Sequence, residues 1–417
     1  MASPKVSESI AQVEAIVDQQ PGYGALLANI KKLSTPQTIG TDLKAIVDSV
    51  VNSTLGIVAM RTIISDLVPT LKGFANPDLW IDVGQHTLNA LSAQTSTFLE
   101  QAAQIRELMA DAHENNEDNL EAAKVLSEIP LDSSQRKVTN EDRVKVWIRI
   151  VRNYLEVDDT TSAETYLNKL KNVIYQVEDP ALNLHFKLSQ ARIQDSKREF
   201  LAASQAYHDI SFSPAVSEDE RLHTLSMAVK CAILAPAGPL RSRALGRLYK
   251  DERAPNLDEF GMLEKMFFDR LLAPAEVDKF AQSLSPHQLA TTSDGSTVLA
   301  KAVVEHNLLG ASRLYSNIGF EALGVLLGLD VGKAEDTTAK MIEQGRLVGR
   351  IDQIEQIIWF EGGEASGEKG SGRAEVTVGR EMRRWDANVQ GLAEEVENVT
   401  NALQREFPEF VAANLVV

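Results

Sequence analysis

Three consecutive stretches decide the fold: Phe320-Glu-Ala-Leu-Gly-Val-Leu-Leu-Gly-Leu-Asp330, Val331-Gly-Lys-Ala-Glu-Asp-Thr-Thr-Ala-Lys-Met-Ile-Glu-Gln-Gly345 and Arg346-Leu-Val-Gly-Arg-Ile-Asp-Gln-Ile-Glu-Gln-Ile-Ile-Trp-Phe360. The first reads as a short apolar helix ended by Gly328, since glycine accepts the left-handed backbone of a helix terminus. Asp330 is placed to cap a second helix with Ala334, Thr338, Met341 and Ile342 on one stripe, and Gly345 closes it. Leu347 to Ile351 and Ile357 to Phe360 then read as two short strands. Helix, turn, helix and a two-stranded wing is the outline of a winged helix, with Thr297 to Asn307 as its first helix.

Upstream, from Ser7 to about Leu271, apolar residues recur at three- and four-residue steps between short polar breaks, and strand-like alternation is missing. Several helix starts are chemically marked. Thr139 can cap a helix whose stripe is Val144, Trp147, Ile148, Val151 and Leu155. Asp179 precedes Pro180, which suits a first helical position because its missing N–H costs nothing there. Ser217 and Glu220 form a capping-box pair. Starts fall near residues 119, 140, 161, 180, 198 and 218, which is about 40 residues per helical hairpin. Each hairpin leaves apolar residues that only a neighbouring hairpin can cover. The predicted fold class is mostly α: a tetratricopeptide-like helical-repeat solenoid, without the strict tetratricopeptide consensus, ahead of the winged helix.

Downstream, Glu361 to Arg373 holds five Gly and no large apolar side chain, the composition of a flexible linker. Beyond it Val378, Met382, Trp385, Val389, Leu392, Val396, Val399 and Leu403 follow one another in four- and three-residue steps. That is the a/d seam of a long C-terminal helix, which needs partner helices to be stable. Pro408 stops the pattern.

Charge narrows the function classes. The 42 basic residues against 59 acidic ones leave a net charge of −17, which repels phosphate backbones over most of the surface. From Phe320 to Glu361 there are four basic and eight acidic residues, a balance of −4, and Glu335 and Asp336 open the helix that would face DNA. Nucleic acid is therefore not an expected partner, and a DNA-reading winged helix stands as the alternative of another class. The single cysteine, Cys231, lies in an apolar stretch and cannot form an internal disulfide, so a buried thiol in a reducing compartment is expected. The N-terminus lacks a leader pattern, and no apolar run nears the ~20 residues of a membrane span. The expectation is a soluble cytoplasmic and nuclear protein that makes no membrane contact.

Catalytic patterns are missing. The seven histidines are never closer than 15 residues apart, so neither His-x-His nor His-Glu-x-x-His occurs. His113-Glu-Asn-Asn-Glu117 has Glu where a zinc-binding helix needs its second His. In Gly362-Gly-Glu-Ala-Ser-Gly-Glu-Lys369, Glu368 stands where a phosphate-binding loop needs Lys. Neither a nucleophile elbow nor a dinucleotide fingerprint is present. No catalytic residue, metal ligand or cofactor is predicted, and an unrecognised hydrolase is the enzymatic alternative.

What remains is protein–protein geometry. A wing edge at Leu347, Ile351, Ile357 and Phe360 can extend its ladder into a neighbouring sheet, or can pack only on its own helices. The C-terminal seam can fold back on its own repeats or enter a bundle of several chains, and its regularity favours the bundle.

Helical repeats capped by a winged helix and followed by one long helix resemble the plan of the PCI proteins, shared by the proteasome lid, the COP-9 signalosome and a translation initiation factor. Leu248-Tyr-Lys-Asp-Glu-Arg253, Leu263-Glu-Lys-Met266, Pro286-His-Gln288, Thr291-Thr-Ser-Asp-Gly295, Val304-Glu-His-Asn-Leu-Leu309 and Gly349-Arg-Ile-Asp-Gln-Ile354 are similar to the corresponding stretches of the fourth-subunit branch of the signalosome. The layout is then an N-terminal helical-repeat arm over 1–200, the helical part of a PCI domain over 201–296, its winged-helix part over 297–360, the Gly-rich linker over 361–376, a bundle helix over 377–407 and a tail over 408–417. The resemblance implies a non-catalytic scaffold and substrate-sensing subunit of the complex that removes a ubiquitin-like modifier from cullins. It implies as partners the other PCI subunits, through winged-helix edges and a shared helical bundle, and the metalloprotease pair that holds the zinc. It also implies that the N-terminal arm reaches a cullin–RING ligase. The paralogous proteasome-lid subunit is the same-class alternative, against which the Tyr249–Arg253 and Val304–Leu309 wording argues.

Overall fold

The computed structural model describes residues 3–410 apart from 17–18, 54, 95, 132–137, 292–294, 361–377 and 409. The proposed linker, 361–376, and the end of the tail, 411–417, thus lie outside the described residues. The chain divides into two compact units, residues 1–193 and 194–417.

The first unit is built of helices α1 (Pro4–Glu14), α2 (Gln20–Leu33), α3 (Ile39–Asn52), α4 (Ile57–Lys72), α5 (Pro77–Leu91), α6 (Leu99–Asn115), α7 (Asn119–Ser127), α8 (Asn140–Glu156), α9 (Thr160–Lys171) and most of α10 (Pro180–Ser196). Successive helices from α5 to α9 pack on one another, while α2 rests on α4, α3 on α5 and α4 on α6. Contact with the next helix and the next but one is the packing of stacked helical repeats. The marked starts behave as their chemistry dictates: the Thr139 hydroxyl accepts from the Asp142 N–H at 3.1 Å, and Asp179 accepts from Ala181 N–H at 2.9 Å. The core is aliphatic, running from Val6, Ile30, Leu43 and Leu71 to Ile105, Leu126, Ile150 and Leu170.

The second unit continues with α11 (Phe200–Ser211), α12 (Glu218–Leu234), α13 (Pro239–Tyr249), α14 (Phe260–Phe267), α15 (Pro274–Ala281), α16 (Val298–Leu314), β1 (Asn317–Gly319), α17 (Phe320–Leu327), α18 (Val331–Glu343), β2 (Gly349–Asp352), β3 (Ile357–Phe360) and α19 (Val378–Glu406). The Ser217–Glu220 capping box opens α12, with the Ser217 hydroxyl accepting from Glu220 N–H and the Glu220 carboxylate accepting in return. Cys231 is fully buried there, and burial, with Asp195 beside it, pushes its thiol well up.

Residues 298–360 form the winged helix with three differences from the sequence reading. α16 runs on to Leu314 because Leu308 and Ala311 still face the core. A third strand, β1, pairs antiparallel with β3, giving the order β1-β3-β2, so Ile357 to Phe360 is the central strand. The strand expected from Leu347 begins at Gly349, because the Leu347 N–H turns back to Met341 O at 3.2 Å and its side chain enters the core. Ile318, Ile358 and Ile351 stand abreast across the three strands. Gly328 ends α17 at φ 68°, a conformation that costs a side chain about 1–2 kcal/mol. Gly349 is needed for another reason: a Cβ there would lie 2.6 Å from Trp359 O on the central strand.

Candidate protein-interaction surfaces

The order β1-β3-β2 leaves two short outer edges, the three-residue β1 and the four-residue β2. β2 pairs with β3 on one side and with no strand on the other among the described residues. Such an edge is a template for a further strand. The four residues read from the sequence divide by role. Leu347 and Phe360 are buried and join Ile318, Leu323 and Met341 in the core, so they stiffen the wing from beneath. Ile351 and Ile357 are half-buried on the paired strands. The outward face carries the cross-strand pair Arg350 and Trp359, the guanidinium 5.3 Å from the ring centre, and the turn between the strands presents Ile354, which is 92% exposed. No spacing in the sequence marks Arg350 or Ile354; for Trp359 the signal is its alternation with buried Ile358 and Phe360 along the strand.

The seam forms one helix. Val378 and Met382 lie in α19, with side chains outside the described residues. Trp385, Val389, Leu392, Val396 and Val399 are exposed, and Leu403 is half-buried. A contiguous exposed apolar stripe of this kind is uncommon on the surface of a monomeric protein. α18, by contrast, presents Glu335 and Asp336 on its first turns, and Asp330 caps it by accepting from Lys333 N–H at 3.0 Å.

Comparison with known proteins assigns the family. Residues 6–219 match the family described as PSMD12/CSN4, N-terminal, and residues 275–361 match the PCI domain. The chain is 58% identical to a Neurospora crassa protein named COP9 signalosome complex subunit 4, over 100% of this chain and 99% of that one. This chain belongs to the COP9 signalosome subunit 4 family. It is also 49% identical to the Emericella nidulans subunit 4, over 96% and 97% of the two chains, and 35% identical to that of Drosophila melanogaster, over 94% and 92%.

In this subunit 4 family member, three of the stretches that carry the resemblance make contacts that hold the second unit together. In Val304–Leu309, three successive side chains tie α16 to connecting segments on both sides of it in the chain. Glu305 accepts from Ala237 N–H at 3.1 Å and from both terminal nitrogens of Arg346, at 3.0 Å from Nη2 and closer from Nη1. His306 donates from Nε2 to Arg270 O at 2.9 Å and faces Arg241 through Nδ1 at 3.4 Å. Asn307 pairs with both backbone groups of Leu272. Burial, with the Arg241 charge adding to it, pushes the imidazole down to about 4, so it is neutral. Burial likewise brings Arg241 down to about 10. Further back, Arg253 bonds Asp251 and Ser211 at once and stacks on Phe212, and its guanidinium holds the Asp251 carboxyl below the usual range. Gln288 donates to buried Asp195. No cluster of His, Cys, Asp or Glu fit to hold a metal occurs among the described residues, and no described helix is long and apolar enough to cross a membrane.

Proposed function

We propose that the chain is a non-catalytic scaffold and substrate-sensing subunit of the signalosome, the complex that removes a ubiquitin-like modifier from cullins, working in cytoplasm and nucleus. In this reading the β2 edge receives a strand from a neighbouring PCI subunit. The α19 seam, from Val378 and Met382 through Trp385, Val389, Leu392, Val396 and Val399 to Leu403, enters a helical bundle that also reaches the metalloprotease pair. The helical-repeat arm meets the cullin–RING ligase, and the chain makes no bond to nucleic acid, metal or cofactor.

The observation that supports it best is the α19 stripe, whose Trp385, Val389, Leu392, Val396 and Val399 the rest of the described chain leaves exposed. Fully burying Leu392 and Val399 is worth about 1.5–3 kcal/mol each. Replacing both with Asp should therefore weaken assembly by at least about 100-fold, while circular dichroism of the free chain stays unchanged, because both side chains face solvent there. Undiminished co-purification of the double variant with the complex would refute the bundle role.

A further inference from the structure

α13 is a cationic helix in an acidic chain. With its C-cap residue, Pro239-Leu-Arg-Ser-Arg-Ala-Leu-Gly-Arg-Leu-Tyr-Lys250 carries three Arg and one Lys in 12 residues and no carboxylate. Arg241 faces inward and is spent on the buried contact with His306. Arg243, Arg247 and Lys250 are separated by four and three residues, so they project along one stripe with rises of about 6 and 4.5 Å. All three are exposed, and none joins an ion pair among the described residues. They border a groove of about 770 Å³ between α11 and α13, floored by Leu201, Leu240 and Ala244, with no carboxylate among its lining residues. Leu240 is 63% exposed.

A protein with a net charge of −17 does not leave three cations unneutralised beside an open apolar floor without consequence for what it attracts. From this geometry we infer that the α11–α13 groove is a docking site for an acidic amphipathic helix of a partner protein. Carboxylates spaced i, i+4 and i+7 on that helix meet the cation stripe, and aliphatic side chains beside them cover Leu201, Leu240 and Ala244. The apolar floor selects against ligands that offer charge alone, such as nucleic acid or polyphosphate, for which the remaining surface is repulsive. None of the groove's lining residues belongs to β2 or α19, and the inference does not rest on the assembly role proposed above.

The test uses the purified full chain and a fluorescein-labelled helical peptide of about 16 residues with Glu at i, i+4 and i+7 and Leu on the adjoining stripe, read by fluorescence anisotropy. Saturable binding is expected. The combined substitution Arg243→Gln, Arg247→Gln and Lys250→Gln should weaken it about tenfold, as the loss of three exposed ion pairs dictates, with unchanged circular dichroism. Replacing the peptide's Leu by Ser at constant charge should weaken it comparably. Absence of saturable binding, equal binding by the triple variant, equal binding of the Ser peptide, or equally tight binding of a DNA duplex of similar length would each overturn the inference.

Discussion

Replacing His306 with Gln should abolish a pH sensitivity that the wild-type chain builds into α16. The imidazole is fully buried, with its pKa brought from 6.5 to about 4 by burial first and by Arg241 second. The folded state therefore keeps His306 neutral at a pH where an opened chain takes up a proton. Its contribution is complete above pH 6.5 and is lost as the pH falls towards about 4. At pH 5 the proton taken up by the open state lowers the opening free energy by about 2 kcal/mol, roughly a 30-fold increase in opening. Arg241 and Asp269 share the same pocket, beside the Arg313 charge, and the titration of Arg241 and Asp269, like that of Asp251, is common to both proteins and cancels in the comparison. The assay is hydrogen exchange of peptides spanning α16 at pH 7.5 and 5, corrected for the intrinsic pH dependence of exchange. Wild type should lose about 2 kcal/mol more protection than His306→Gln over that interval. Equal losses would show that the imidazole is not held neutral, and would refute the reasoning.

Other perturbations act on the same framework. Glu305→Ala leaves Arg346 beside α16 without its carboxylate and Ala237 N–H without its acceptor; a loss of about 3–5 kcal/mol is expected, and a melting temperature unchanged from wild type would contradict it. Gly349→Ala drives a Cβ into Trp359 O and should cost about 1–3 kcal/mol; the measurement is exchange protection of β2 and β3 amides, and undiminished protection would count against the close approach. Arg253→Lys cannot reproduce the fork that reaches Asp251 and Ser211 together, so thermal unfolding should show a loss of about 1–2 kcal/mol.

Features written in adjacent residues were legible in the sequence. Caps such as Thr139 and Ser217 are local hydrogen bonds, so helix starts near 119, 140, 180 and 218 coincide with those of α7, α8, α10 and α12. The α19 seam was readable because a heptad stripe is periodicity alone. β1 was not readable: three residues, Asn317–Gly319, hold too little alternation to mark a strand, and only pairing with β3 makes them one. That unseen strand moved β3 from edge to centre, while the bond from Leu347 N–H to Met341 O turned Leu347 under the wing rather than into its edge. The Glu305–Arg346 pair spans 41 residues and joins two elements whose proximity the fold creates. Glu-His-Asn at 305–307 was visible as wording shared with a family, and its chemistry became visible only once Ala237, Arg270 and Leu272 stood opposite it.

The central claim is that this chain works as a structural member of the signalosome. Affinity purification of the tagged full-length chain from its own cells, followed by mass spectrometry, tests it most directly. The expected result is recovery of the other signalosome subunits in comparable amounts, lost in the Leu392→Asp, Val399→Asp variant. Recovery of proteasome-lid subunits without the signalosome would contradict it.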